Sequence, residues 1–184
     1  MPRINELGDL EITDPRAMRA LAHPIRLAIL ELLQRHGPAT ATQLSSDVGT
    51  TPSVAGRHLR KLATFGLVTQ ADRGWQAVGT GIRFEPSEDA ESQAAYRALS
   101  NEIFLRADEL PRGWMAKCEP RLAPEWRKVS GLANARVKMT PDEVEALDAQ
   151  MEELLVPYVT RAPSEVPEGA RGVRLLRYVM PEAD

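Results

Sequence analysis

The stretch from Thr42 to Val68, TQLSSDVGTTPSVAGRHLRKLATFGLV, constrains the fold of this chain more than any other. Gly49 separates two segments of helical periodicity. The second opens at Thr51-Pro52, an N-cap hydroxyl followed by a proline whose missing N–H costs nothing at the first helical position. It closes at Gly66, the residue type that takes up the left-handed conformation past a helix end without strain. Ala55, Leu59, Leu62 and Phe65 recur along one face, while Ser53, Val54, Arg57, Arg60 and Lys61 fall mostly on the other. No Asp or Glu occurs between Val48 and Ala71. An amphipathic, acid-free helix with a basic outer face is suited to phosphate.

That local bias matters because the chain as a whole is acidic, with a net charge of −3. Residues 14 to 83 hold nine Lys/Arg against four Asp/Glu, whereas residues 86 to 184 hold thirteen against eighteen. The basic half is the candidate for nucleic acid. Phosphate attraction is local and screened within about 10 Å, so an acidic total does not oppose it. Cys118 is the only cysteine, which excludes an internal disulfide, and the N-terminus lacks the pattern of a charged start, apolar run and small-residue cleavage site. No apolar stretch approaches the roughly 20 residues of a spanning helix. A cytoplasmic protein without a membrane role is expected.

Three parts follow from the order of signals: an arm at 1–13, a DNA-binding domain at 14–85 and an extension at 86–184. In the arm, Ile4, Leu7 and Leu10 can pack loosely on the body. Asp14-Pro15 starts a helix with Met18, Leu21 and Ala22 on one face. His23-Pro24 starts another, with Ile25, Ala28, Ile29, Leu32 and Leu33 inward until Gly37-Pro38. Thr40 or Thr42 caps a short helix with Leu44 and Val48 inward. After Gly66, Leu67 to Ala71 and Trp75 to Val78 flank Asp72-Arg73-Gly74, a hairpin signal. Three helices followed by such a hairpin make a winged helix-turn-helix, with the reading helix at 51–65 and the wing at 67–78.

In the extension, a helix from a Ser87 cap to Leu110 carries Tyr96, Leu99, Ile103, Ala107 and Leu110 at near-heptad spacing. Such a stripe is either intramolecular core or the seam of a dimer. Pro111 to Gly131 reads as irregular. Ala133 to Met139 alternates like a half-buried strand, Thr140 to Glu143 is a capping box, and Val144, Leu147, Met151, Leu154 and Tyr158 form a seam behind it. Pro157 marks the end or a kink of that helix, and Val173 to Val179 reads as a final strand. The fold class expected is mainly α with small β: a winged helix-turn-helix domain, a long dimerisation helix and a strand-helix-strand extension.

The run Leu21 to Leu30, LAHPIRLAIL, closely resembles the opening helix pair of the ArsR-type bacterial repressors, and Val54 to Val68 resembles their recognition helix and entry to the wing. The resemblance covers roughly residues 14 to 85; beyond it, the long helix is similar in position to the family's dimerisation helix. It looks like the form of these regulators common in actinobacteria. The resemblance implies a homodimeric, sequence-specific DNA-binding repressor, often released by a ligand. Gly56 departs from the polar residue usual there in the family, and either lets the backbone approach DNA or removes one contact.

In a winged helix-turn-helix the N-terminal half of the second helix reaches base edges in the major groove. Thr51, Ser53, Val54 and Arg57 are therefore the candidates for specificity, Arg57 because its guanidinium can grip a guanine edge with two parallel hydrogen bonds. Arg60 and Lys61 lie further along and suit phosphates. His58, in what resembles the family's His-Leu pair, either reaches a phosphate or packs locally. Arg73 at the wing tip is placed for the adjacent minor groove or is simply solvated. His23 and His36 read as structural. Trp114, Met115 and Trp126 either line a pocket for a small-molecule effector or serve a second core.

Metal sensing, frequent among the resembled repressors, lacks its ligands. The helix at 42–48 has no Cys, residues 87–110 have neither His nor Cys, and all three histidines precede residue 59. No metal and no cofactor are expected. Neither a nucleophile elbow nor a phosphate loop is present, and no His in the second half can serve Cys118 or a serine as base, so an enzyme is not expected. The alternative to a DNA-binding repressor is a winged module whose basic helix meets an acidic protein partner.

Overall fold

Local capping chemistry sets the frame of the computed structural model, which describes residues 3–182. The Asp14 carboxylate accepts the N–H of Arg16 at 2.8 Å and starts α1, Pro15–Leu21. At the next start the His23 ring nitrogen Nδ1 accepts the N–H of Ile25 at 3.2 Å, opening α2, Pro24–His36. Thr40, not Thr42, caps α3, Ala41–Asp47, in a reciprocal box with Gln43. Thr51 caps α4, Pro52–Thr64, and Gly66 follows with φ 69°. The inward face of α2 is rotated from the expected stripe: Leu27, Ile29, Leu30 and Leu33 are buried, while Ile25, Ala28 and Leu32 are only half-buried.

Met18, Leu21, Ile29, Leu30, Leu44, Leu59, Leu62 and Leu67 share one core. Each fully buried Leu or Met there removes apolar surface worth about 1.5–3 kcal/mol. After α4 the chain forms the hairpin β3, Val68–Ala71, and β4, Gly74–Ala77, turning on Asp72-Arg73. The hairpin is tied to the connection before α3, where Ala39 and Trp75 exchange backbone hydrogen bonds of 2.9 and 2.8 Å. Gly74 makes this approach possible. Its φ is 119°, and a Cβ would lie 2.6 Å from the Ala39 carbonyl oxygen.

Residues 3–12 do not form a loose arm. Strand β1, Arg3–Ile4, pairs antiparallel with β2, Asp9–Ile12, and β2 pairs in parallel with β5, Gly81–Phe84. Leu10 and Ile12 enter the core and Leu7 is buried, while Ile4 is exposed. The chain that enters the winged domain and the chain that leaves it therefore lie side by side.

The long helix α5 spans Ala90–Lys117, beginning and ending later than the sequence suggests. Asp89 is its cap, accepting the N–H of Ser92 at 2.9 Å, and Ser87 braces that cap by a hydrogen bond to the Asp89 carboxylate. A carboxylate is favoured there by the positive end of the helix. The helix continues through Pro111, which lies on its exposed side; the proline removes one backbone bond without disturbing packing. A 3-10 turn at Glu119–Arg121 and a short α6, Pro124–Val129, occupy the stretch expected to be irregular. Helix α7, Pro141–Val159, begins with the Thr140–Glu143 box as expected and carries Pro157 in its last turn. The strands expected on either side of α7 are not formed: residues 133–139 and 173–179 run without strand pairing. Alternation selects extended backbone, but a strand also needs a neighbour, and this chain supplies none there. No described helix is long and apolar enough to cross a membrane.

Candidate nucleic-acid interface

The turn between α3 and α4 is fixed by Gly49, with φ 65°, and by a 2.9 Å hydrogen bond from the Thr50 N–H to the Ser45 carbonyl. It presents the start of α4 outward. Thr51, Pro52 and Ser53 are exposed, and the Thr51 hydroxyl oxygen accepts the N–H of Val54 at 3.3 Å. No acidic side chain lies in this first turn, so the positive end of the helix is uncompensated. Val54 is half-buried. Beneath the outer face Ala55, Leu59 and Leu62 have no exposed surface, so the face is held rigidly against the core.

Arg57, Arg60 and Lys61 are exposed along α4. Gly56 is buried rather than open: the Arg60 guanidinium turns back toward the helix start, and a Cβ at Gly56 would meet its Nη1 at 3.5 Å. A long side chain on a helix leans toward the N-terminus, and the glycine leaves room for it to do so. Arg60 thus carries its charge back over Gly56, one turn nearer the helix start than its position suggests. The Lys61 ammonium lies 5.0 Å from the Phe65 ring centroid. Arg73 is exposed at the wing turn.

His58 faces inward along the domain. Its ring is 4.7 Å from that of His23, tilted by 50°, which joins the reading helix to the start of α2. Burial lowers the pKa of both; the Arg26 charge lowers that of His23 further, against an opposing effect of Glu102. His58 is lowered additionally by His23, Arg26 and Arg57. The acceptor role of His23 Nδ1 also requires that nitrogen to be unprotonated. Sequence reasoning placed each histidine separately and missed the pair, because the two lie on different helices.

Beside the far end of α4 an open cleft of about 1250 Å³ is lined by Arg3, Arg16, Arg19, Arg26 and Lys61, opposed by Glu11, Asp14 and Glu85. Arg16 is paired with Asp14 and Arg19 with Glu91. The fold gathers these arginines from β1, α1 and α2, so no local sequence signal announces them.

The remaining candidates are dispersed. In the long helix, Leu99 and Ala107 are buried, while Tyr96, Ile103 and Leu110 are half-buried; Leu99, Tyr96 and Ile103 belong to the chain's own core. Trp114 and Trp126 are half-buried and Met115 is exposed, and none of the three lines this cleft or the smaller one between the first sheet and α7. Arg171 lies over the Trp126 ring at 5.6 Å. Cys118 is exposed. Among the described residues no three His, Cys, Asp or Glu side chains converge as metal ligands would.

Two helices joined by a tight turn, the second basic on its outer face and followed by a hairpin, define a winged helix-turn-helix. Comparison with protein families matches residues 21–71, from the end of α1 through β3, to a helix-turn-helix domain. This part of the chain is a DNA-binding domain of the kind found in transcription regulators. Among curated proteins no match to the chain is found.

Proposed function

We propose that the protein is a homodimeric, sequence-specific transcription regulator, similar in plan to the ArsR-type repressors, that represses by occupying an inverted-repeat operator. The observation that carries this reading is the exposed, acid-free start of α4, held rigidly by the buried side chains beneath it. Two such helices about 34 Å apart would meet successive major grooves on one side of the duplex. Thr51, Ser53 and Arg57 lie nearest the bases in this arrangement. Arg60, drawn back over Gly56, joins them at the groove edge, while Lys61 and Arg73 hold backbone. Val54 offers an apolar contact, and His58 supports the helix from behind. Any effector acts through the extension, and no chemical step is assigned to the protein.

Titration of double-stranded DNA from upstream of its own gene, against a scrambled duplex, tests the reading directly. Preference for the upstream duplex is expected; equal weak binding to both would leave a protein-interaction module in its place. Arg57→Ala should weaken the specific duplex by about 1–3 kcal/mol and relax one base position. Lys61→Ala should weaken both duplexes and flatten the dependence on salt.

A further inference from the structure

Helix α7 docks on its own chain by a mixed face that carries the charges Asp148 and Glu152 beside half-buried Val144, Met151, Leu155 and Val156. Arg83 of β5 binds both Asp148, at 3.5 Å, and Glu152, and Arg177 of the C-terminal segment also binds Asp148. Val144 and Met151 of the apolar seam are half-buried, but the rest of it is turned away: Leu147, Leu154 and Tyr158 are 44, 71 and 67 % exposed. An amphipathic helix in a finished structure covers that seam.

The whole extension repeats the pattern. No described residue beyond Ala107 is buried. The chain exposes 13445 Å² at a mass of 20.3 kDa, against about 8,800 Å² for a compact monomer of that mass. The excess, on the order of 4,600 Å², is well above the roughly 800 Å² per partner of a standard stable interface. Residues 133–139 and 173–179 alternate as strands do but form no strand pairing among the described residues, leaving two open backbone edges.

Charge indicates the occupant. Between Pro141 and Val159 lie six acidic residues and no base. The extended segments carry the opposite sign: Arg136, Lys138, Arg171, Arg174 and Arg177, with no acid in 133–139 or 171–179. Among the described residues the Arg177–Asp148 pair alone joins these two sets within one chain. A surface holding an acidic helix, basic extended edges and an apolar seam carries its own complement, which is what a twofold contact between identical chains requires.

We propose that residues 132–180 form the homodimer interface, with the α7 seam of each protomer packed on the partner and the extended segments paired across the two copies. The proposal rests on the dimer reading given above and relocates the seam: Leu99 is buried and Tyr96 and Ile103 pack against the chain's own core, so the N-terminal part of the expected α5 stripe is already used inside the protomer.

The test is sedimentation velocity on the full chain, comparing the wild type, the double variant Leu154→Glu/Tyr158→Glu, and Leu105→Glu on the exposed side of α5. The expected result is a dimeric wild type, a dimeric Leu105→Glu and a monomeric double variant with unchanged helical circular dichroism. Loss of bivalency should weaken binding to the upstream duplex on the order of 100-fold. A double variant that remains dimeric, or a Leu105→Glu that becomes monomeric, would overturn the interface while leaving the dimer intact. A monomeric wild type would remove the dimer reading itself. Hydrogen exchange on the wild-type dimer decides the matter if the double variant does not fold: amides of 133–139 and 173–179 should be protected, and exchange at free-chain rates would overturn the pairing.

Discussion

Helices α4 and α7 carry equally regular apolar seams and opposite outcomes within the chain. In α4 the residues Ala55, Leu59 and Leu62 are fully buried and the charges face solvent. In α7 the charges Asp148 and Glu152 face the chain and Leu154 and Tyr158 face solvent. Periodicity says that a seam must be covered; it does not say by what. The difference follows from neighbours: α4 arrives with α2, α3 and α1 already around it, whereas α7 meets the edge strand β5, whose half-buried Arg83 binds Asp148 and Glu152.

The contrast is broken most forcefully by truncating one seam at a time. Leu59→Ala should cost about 2–5 kcal/mol in urea denaturation, because it leaves a cavity in the core beneath α4. Leu154→Ala, measured at concentrations where the chain is monomeric, should change stability by less than about 0.5 kcal/mol. Similar losses at both sites would mean that α7 buries its seam within one chain. The second expected effect lies in the wing. Gly74→Ala must place a Cβ against the Ala39 carbonyl at a positive φ, which should cost about 1–3 kcal/mol and loosen the wing amides to hydrogen exchange.

A smaller change of opposite sign belongs to α4. Gly56→Ala should stabilise the protein by about 0.5–1 kcal/mol, since a Cβ there meets only the Arg60 guanidinium at ordinary contact distance. Thermal denaturation reads the gain, and a loss would place Gly56 under tighter constraint than its surroundings show. The most modest effect concerns pH. Folded His23 and His58 hold protons less tightly than in the unfolded chain, so lowering the pH through about 6.5 protonates the unfolded state first and destabilises the fold. The midpoint of unfolding should fall as the solution is acidified through that range, and the histidine double variant to Gln should lessen the dependence.

The DNA-binding domain was legible where its chemistry is local. Asp14-Pro15, Thr51-Pro52, Gly66 and the Asp72-Arg73-Gly74 turn each act within a few residues, and each forms as its sequence implies. The parallel pairing of β2 with β5 was not legible, because four residues of DLEI contain no sign of a partner at Gly81–Phe84. The Ser87 cap was misplaced for a related reason: serine and aspartate both cap, and only the geometry of the incoming chain gives the role to Asp89. The expected strands at 133–139 and 173–179 fail within a single chain because pattern describes a face and pairing requires a second edge. On the outer face of α4 the residue types were readable, but the lean of Arg60 over Gly56 and the meeting of His58 with His23 depend on three-dimensional neighbours.

The strand pairing at the entrance of the winged domain also orders its assembly in time. Leu10 of β2 has its register partner at Ile82, so nearly the whole domain must leave the ribosome before the β1–β2 pair acquires its third strand. Helices α1 to α4 can settle on local contacts as they emerge, but closing so long a loop is slow and entropically costly. The N-terminal strand pair is made early and joined to β5 late, as a clasp on a domain whose helix α4 has already been synthesised.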